Sequence, residues 1–166
     1  MRCASLLLAI FLVAGCAGLT KAPDPNGTES TPAAIQTQWS GRLALKIDSQ
    51  PPQSFSAAFE LNGSAQQGSL TLSTPLGSTL ALLAWTPQRA TLQSPRENQQ
   101  FASVDALVAH VTGTNIPAQA LFDWLQGKNT ASAGWQADLS QHASGRIVAR
   151  QTRPPQPAEL RIVLDR

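Results

Sequence analysis

The sequence predicts a mainly β domain, a curved antiparallel sheet or barrel with two short helices inserted midway. Three observations predict it. Apolar and polar residues alternate through much of 39–93 and again from 135 onward, the period of half-buried strands. Between these stretches, over 103–127, the spacing changes to a helical one. Proline, glycine and asparagine cut the strands into short neighbouring lengths, as in antiparallel sheets and barrels.

Residues 39–47 (WSGRLALKI) place Trp39, Leu43, Leu45 and Ile47 on one face and Ser40, Arg42 and Lys46 on the other. After Gln50-Pro51-Pro52, the residues Phe55, Ala57, Phe59 and Leu61 share a face, and Asn62-Gly63 signals a turn. Leu70 and Leu72 mark a third strand that ends at Pro75. Residues 79–86 (TLALLAWT) form a fourth, in which Leu80, Leu82 and Ala84 are expected to align. Residues 90–93 are a short fifth, cut by Pro87 and Pro95. Ser103 then reads as an N-cap ahead of Val104, Leu107, Val108 and Val111 at i, i+3, i+4 and i+7, with Gly113 where a C-terminal glycine belongs. A second helix begins with Pro117 at N1, carries Leu121, Phe122, Trp124 and Leu125, and closes at Gly127. Residues 135–139, 145–151 and 159–164 read as strands, with Pro154, Pro155 and Pro157 between the last two.

Two helices are too few to cover both faces of a sheet. They are expected over one open end or in the concave face. The inward positions carry leucine, phenylalanine and alanine with few polar anchors. A hollow lined this way suits hydrocarbon better than a polar substrate, although a filled core would give the same pattern.

The N-terminal segment reads as an address. Met1-Arg2 is a short positive region, and Leu6 to Val13 is an apolar run of eight residues, a signal-peptide length rather than the ~20 a spanning helix needs. Val13-Ala14-Gly15-Cys16 follows and resembles a bacterial lipobox, which implies cleavage before Cys16 and acylation of that cysteine; the alternative is an ordinary cleavable signal with a chance cysteine. Cys3 would leave with the signal. By the same resemblance Ala17, rather than aspartate, permits export to the outer membrane. Residues 17–37, with Pro23, Pro25 and Pro32 among small polar residues, read as a flexible tether of roughly 25 Å. The expected organisation is a signal peptide over 1–15, a lipidated tether over 16–37 and a β domain over 38–166. Asn26-Gly27-Thr28 and Asn62-Gly63-Ser64 match the glycosylation triplet and are read as turns.

Several function classes recede. The net charge is +2, too weak for an obvious phosphate-binding face, so no nucleic-acid partner is expected. Cys3 and Cys16 leave the remaining chain without a disulfide or cysteine-based zinc site. His110 and His142 are far apart, and Asp105, Asp123 and Asp138 show no metal-ligand spacing. Gly-x-Ser-x-Gly, His-Glu-x-x-His and phosphate-loop patterns do not occur, and Ser144 beside His142 does not make a triad. No enzyme, cofactor or metal is expected. Arg42, Lys46, Arg146, Arg150, Arg153 and Arg161 are read either as a basic rim or as scattered charges on outward strand faces.

An ordered set of motifs runs behind the lipobox. It comprises Trp39-Ser40-Gly41-Arg42-Leu43-Ala44, Gly68-Ser69-Leu70, and Thr74-Pro75-Leu76-Gly77-Ser78. The Gly113-to-Pro117 helix junction, Trp124-Leu125-Gln126-Gly127, Gly134-Trp135 and Leu160-Arg161-Ile162 follow. In this order they resemble the LolB family of outer-membrane lipoprotein receptors. The C-terminus departs from the family pattern, because Val163-Leu164-Asp165-Arg166 lacks the tryptophan that often ends the last strand; the lack of tyrosine is a second departure.

The resemblance implies an unclosed antiparallel β-barrel with a small helical lid around a hydrophobic cavity. The implied activity is binding: acyl chains of lipoproteins would be accepted from a LolA-type periplasmic carrier and released into the inner leaflet of the outer membrane. The expected location is the periplasmic side of that membrane, and the expected state a lipid-anchored monomer. Cys16 would be the lipidation site, and Pro75, Leu76 and Gly77 a loop that meets the bilayer. Candidate cavity residues are Leu43, Leu45, Phe55, Phe59, Leu70, Leu72, Leu80, Leu82 and Leu92 on the strands, with Leu107, Val108, Leu121 and Trp124 on the helices. An envelope scaffold lipoprotein without a cavity is the alternative.

Overall fold

The computed structural model describes residues 37–152 and 156–165. These belong to the compact unit Ile35–Arg166. The expectations for Cys3, Cys16, the tether and Arg153 lie outside the described residues.

Among the described residues, nine strands form one antiparallel sheet. They are β1 (Gln38–Ile47), β2 (Gln53–Gly63), β3 (Gly68–Ser73), β4 (Thr79–Thr86), β5 (Arg89–Gln93) and β6 (Asn98–Phe101), then β7 (Trp135–Asp138), β8 (Arg146–Gln151) and β9 (Ala158–Leu164). Helices α1 (Val104–Thr112) and α2 (Ala118–Leu125) connect β6 to β7. The strand order is β6-β5-β4-β3-β2-β1-β9-β8-β7. β6 and β7 are the two edges and do not pair, so the barrel is unclosed, and the helical segment runs from one edge to the other. The final strand returns to the middle of the sheet beside β1, with Leu43↔Ile162 and Leu45↔Leu160 in register.

The alternation in β1 and β2 has the expected consequence. Trp39, Leu45 and Ile47 face the interior with Ala57, Phe59 and Leu61, while Ser40, Arg42, Lys46 and Glu60 face solvent. Pairing runs without interruption from Gln38↔Asn62 to Ile47↔Gln53. Asn62-Gly63 leads into the β2–β3 turn, where the Ser64 amide donates to the Gln67 carbonyl at 2.8 Å.

In β4 the phase is the opposite of the expected one. Ala81, Leu83 and Trp85 are buried, Leu80 is half-buried, and Leu82 and Ala84 point to solvent. Leucines stand at 80, 82 and 83, so the aliphatic pattern fits either phase. The indole decides. Trp85 lies opposite Gly68, and its ring fills the space that a side chain at Gly68 would need. Its Nε1–H donates to the Ser64 carbonyl at 2.9 Å. With Trp85 inside, Leu83 and Ala81 meet Leu70 and Leu72 of β3.

Gly68 is therefore a packing requirement. A Cβ there would sit 2.6 Å from the Trp85 ring and collide with the Asn62 carbonyl. Gly68→Ala is expected to cost about 1–3 kcal/mol, as overpacking does, read as a lowered urea midpoint. An unchanged midpoint would show that the β2–β3 turn yields without loss.

Strand β6 had no signal, because Asn98-Gln99-Gln100-Phe101 does not alternate. It exists through pairing with β5, where Ala90 lies opposite Phe101. Both helices form where the period changed. The Ser103 hydroxyl accepts from the Ala106 amide at 3.1 Å, and Gly113 ends α1 in the left-handed conformation. Pro117 is the N-cap of α2 rather than its first helical residue. The Asp105 carboxylate accepts from the Ala118 amide at 2.9 Å, which ties the start of α1 to the start of α2.

Helix α2 is the apolar plug. Phe122 stands edge-on to Trp39 at 5.6 Å and to Trp85 at 6.3 Å between ring centres, geometry favoured by the ring quadrupoles. Trp124 is fully buried beside Trp135, and their indole N–H groups donate to the carbonyls of Thr130 and Asn115, each at 2.7 Å. These five aromatic residues pack one part of the interior solid.

Candidate functional site

The other part is hollow. A cavity of about 280 Å³ lies between α1 and the inner face of the sheet. From β1 come Leu43, Leu45 and Ile47, and from β2 Phe55. Leu70 and Leu72 of β3 and Leu83 of β4 continue the wall to Leu160 and Ile162 of β9. The helical side is Val108 and Val111 of α1, Ile116 of the junction, and Leu121 of α2. Every one of these side chains is a hydrocarbon. Polar groups gather at the rim, at Gln53, Ser54, His110 and Thr112.

Local structure explains why the space is empty. The α1 side chains over it, Val108 and Val111, are β-branched, short and stiff at χ1, and they line the space without filling it. Val108 and Val111 are consequently only half-buried. Leu107, one position around the helix, is fully buried in the filled part. An apolar cavity of ~150 Å³ has room for one benzene ring, so about 280 Å³ is room for roughly ten carbons.

Of the thirteen expected cavity residues, Leu43, Leu45, Phe55, Leu70, Leu72, Val108 and Leu121 come together in this wall. Phe59, Leu92, Leu107 and Trp124 are buried in the core elsewhere. Leu80 is half-buried outside the wall, and Leu82 is 44% exposed on the outer surface, a result of the Trp85-imposed phase. Ile47 lies on the apolar face read for β1 and Val111 on that read for α1, whereas the strand that carries Leu160 and Ile162 is read from the sequence with no inward face assigned. Leu83 lay on the phase not chosen, and Ile116 carried no periodic signal.

Leu76 is 95% exposed at the tip of the β3–β4 turn. The turn itself is well tied. The Thr74 amide donates to the Ser78 carbonyl at 2.8 Å, the Gly77 amide to the Thr74 carbonyl at 2.9 Å, and the Ser78 amide to the Thr74 hydroxyl at 3.1 Å. Proline and glycine on either side leave the leucine no surface to fold back on, and no atom lies within 4 Å of a Cβ built at Gly77.

The basic residues Arg42, Lys46, Arg146, Arg150 and Arg161 are all exposed on the outer face of β1, β8 and β9, and none lines the cavity. Glu159 sits among them, accepting from Arg161 Nε at 2.6 Å and Arg150 Nε at 2.7 Å. The Arg161 hydrogen bond, with help from Arg150, holds the Glu159 carboxyl below its ordinary value despite partial burial. Asp138 is held low by hydrogen bonds from Ser140. A depressed carboxylate stabilises the fold above its unfolded pKa, ~4.3 for glutamate, and that contribution disappears as pH falls through the folded value. Glu159→Gln is expected to flatten this acid-side decline by roughly a few tenths of a kcal/mol, because both arginines are solvent-exposed. Urea unfolding at pH 7 and in acid checks it; an identical slope in the variant contradicts the assignment.

His142, Asp123 and His110 have structural partners. His142 Nε2 meets the Leu125 carbonyl at the end of α2, at 3.0 Å. Asp123 accepts from the Thr130 hydroxyl at 2.8 Å and from Gln119 at 3.1 Å. His110 at the rim meets the Glu97 carboxylate at 3.3 Å and packs on Phe101. Among the described residues no group of three or more His, Cys, Asp or Glu stands close enough to hold a metal, and no helix is long and apolar enough to cross a membrane.

A family model described as outer membrane lipoprotein LolB matches residues 36–156. The chain belongs to the LolB family. Among similar curated proteins is the outer-membrane lipoprotein LolB of Ralstonia nicotianae, 32% identical over 142 residues, which cover 84% of this chain and 66% of that one. That of Cupriavidus metallidurans is 30% identical over 87% of this chain and 70% of its own, and that of Shewanella baltica 31% over 90% and 69%. The chain thus spans about two thirds of the length of these relatives. The motifs that carry the LolB resemblance have separate structural tasks here. Gly68 admits Trp85, Trp124 and Trp135 fasten the helical plug, and Pro75-Leu76-Gly77 exposes one leucine.

Proposed function

We propose that this chain is an outer-membrane lipoprotein receptor, which takes the acyl chains of lipoproteins into the cavity beneath α1. The hydrocarbon-walled cavity of about 280 Å³ in a member of the LolB family carries this reading. In the proposed cycle a LolA-type carrier delivers the cargo, the receptor holds its acyl chains, and the membrane's inner leaflet takes them. Cys16 is the proposed lipid anchor and residues 17–37 the tether.

The energetics require no nucleotide. Each methylene moved out of water contributes ~0.8 kcal/mol, so exposed acyl chains carry tens of kcal/mol. Direction needs only a graded affinity from carrier to receptor to bilayer, and ~1.4 kcal/mol per step gives tenfold bias. The cavity's size fits part of one long chain, so uptake of whole acyl groups requires α1 to move outward. The half-buried valines make α1 the wall that can yield, whereas Phe122, Trp124 and Trp135 hold α2 in place. Leu76, exposed on a tied turn, is the proposed bilayer contact.

The test is transfer of a radiolabelled lipoprotein from a loaded LolA-type carrier to the full chain in liposomes. Cargo is expected to leave the carrier and sediment with the liposomes only when the chain is present. Cargo that stays on the carrier, together with no brightening of a fluorescent fatty acid by the chain, favours the scaffold alternative instead.

A further inference from the structure

The β3–β4 hairpin is shorter than the strand it lies beside. β2 pairs with β1 along its whole length, down to Ile47↔Gln53, but its pairing with β3 stops at Ala58↔Ser73. Among the described residues, 53–57 therefore have a strand neighbour on one side only. Two hydrogen bonds fix which backbone groups face the vacancy. The Gly63 amide donates to Thr37 on the β1 side, and the Ser64 amide to Gln67 on the β3 side. Strand groups alternate between sides, so the N–H and C=O of Ser54 and Ser56 point to the β3 side, past the last β3 residue. Ser54 also lines the cavity, with Gln53 and Phe55 beside it.

We propose that this vacant edge at Ser54 and Ser56 is a peptide-binding site, which receives by strand addition the extended backbone that follows an acylated cysteine. The inference rests on the receptor reading above and names what the site would hold besides lipid. The position argues for it, since a peptide whose lipid lies in the cavity must leave past this rim. The chemistry argues for it too. The edge offers main-chain donors and acceptors about 17 Å long, with no charged side chain and no proline in Gln53-Ser54-Phe55-Ser56-Ala57. Lysine, proline and bulges are the usual protection of an exposed edge, and this one has none of them. Recognition through main-chain groups alone is indifferent to sequence, as a receptor for many lipoproteins requires.

The double variant Ser54→Pro and Ser56→Pro removes the two N–H groups on the vacant side and leaves the β1 ladder intact, a position at which edge strands tolerate proline. The full chain carrying Cys16→Ala is compared with and without these substitutions. The probes are a dipalmitoyl-cysteinyl pentapeptide of neutral residues, the same lipopeptide N-methylated at alternate residues, and palmitate. The parent chain is expected to prefer the unmethylated lipopeptide about tenfold, the order expected for a few net backbone hydrogen bonds. The double variant is expected to lose that preference and bind palmitate as before. Amide exchange at Ser54 and Ser56 in the parent is expected to slow with lipopeptide and not with palmitate, which decides the matter if the prolines also disturb palmitate binding. Equal binding of the two lipopeptides with unchanged exchange overturns the edge proposal and leaves the receptor reading standing. Failure to bind any of the three probes overturns both. Concentration-dependent protection of Ser54 and Ser56 without ligand assigns the edge to a second copy of the chain and overturns the proposal.

Discussion

Leu76→Glu is expected to fold normally, accept cargo from a carrier, and fail to deliver it to liposomes. The folding half follows from exposure. Leu76 is 95% exposed, and its turn is held by Thr74, Gly77 and Ser78 without the leucine side chain. Substitutions at such sites stay within about 0.5 kcal/mol. The delivery half follows from what an unsupported leucine can do at a membrane. Burying it is worth ~1.5–3 kcal/mol, one to two powers of ten in residence at the bilayer, whereas a carboxylate resists leaving water. Leu76→Ala should fall between, because it loses the gain without adding a penalty. Circular dichroism and urea unfolding check the fold, and release of labelled lipoprotein into liposomes checks delivery. Undiminished delivery by Leu76→Glu would remove the turn from the proposed mechanism.

Phe122→Ala is expected to give the largest loss of stability among single truncations in the plug, about 3–5 kcal/mol. Phe122 is 3% exposed and touches both Trp39 of β1 and Trp85 of β4. Its removal opens a void where α2 meets two strands, and the surrounding rings cannot close on it without breaking the indole hydrogen bond to Ser64. Val108→Ala on α1 provides the contrast. It faces space that is already empty, so its cost should be far smaller, while the cavity gains room. A urea midpoint for Phe122→Ala close to that of the parent would mean that α2 is not the fixed element, and the division into a solid and a yielding half would fall with it.

That division bears on how the proposed receptor is loaded and emptied. The solid half holds the unclosed sheet in its curve, so movement of α1 need not unfold the rest. The Asp105 carboxylate ties the start of α1 to the α2 N-terminus, and the rim contact between His110 and Glu97 lies in the last turn of α1, ahead of the Thr114 and Asn115 hydrogen bonds that hold the junction. In the proposed receptor, displacement of α1 would open the cavity beside Gln53 and Ser54, which line it, so lipid and peptide would meet adjoining parts of one rim.

Local pattern in the chain determined more than element positions. The two-residue period named the inward faces of β1 and β2, and Ser103 and Gly113 bounded α1, because these choices depend on neighbours a few residues away. The motif order was enough to place the chain in its family. The sequence alone also marked Leu76 as a leucine between two turn formers.

Tertiary structure decided the rest. The phase of β4 could not be read, because leucines occupy both of its faces and only the fit of Trp85 over Gly68 chooses between them. β6 exists because β5 offers it a partner. Whether an inward apolar residue becomes core or cavity wall depends on which helix lies above it: Phe59 falls within the packed interior, while Leu43 and Leu45 line the cavity together with the short valines of α1. The vacancy beside Ser54 and Ser56 comes from a difference in length between adjacent strands. Each of these is set by residues distant in sequence, where packing volume and register choose among alternatives that local propensity leaves equal.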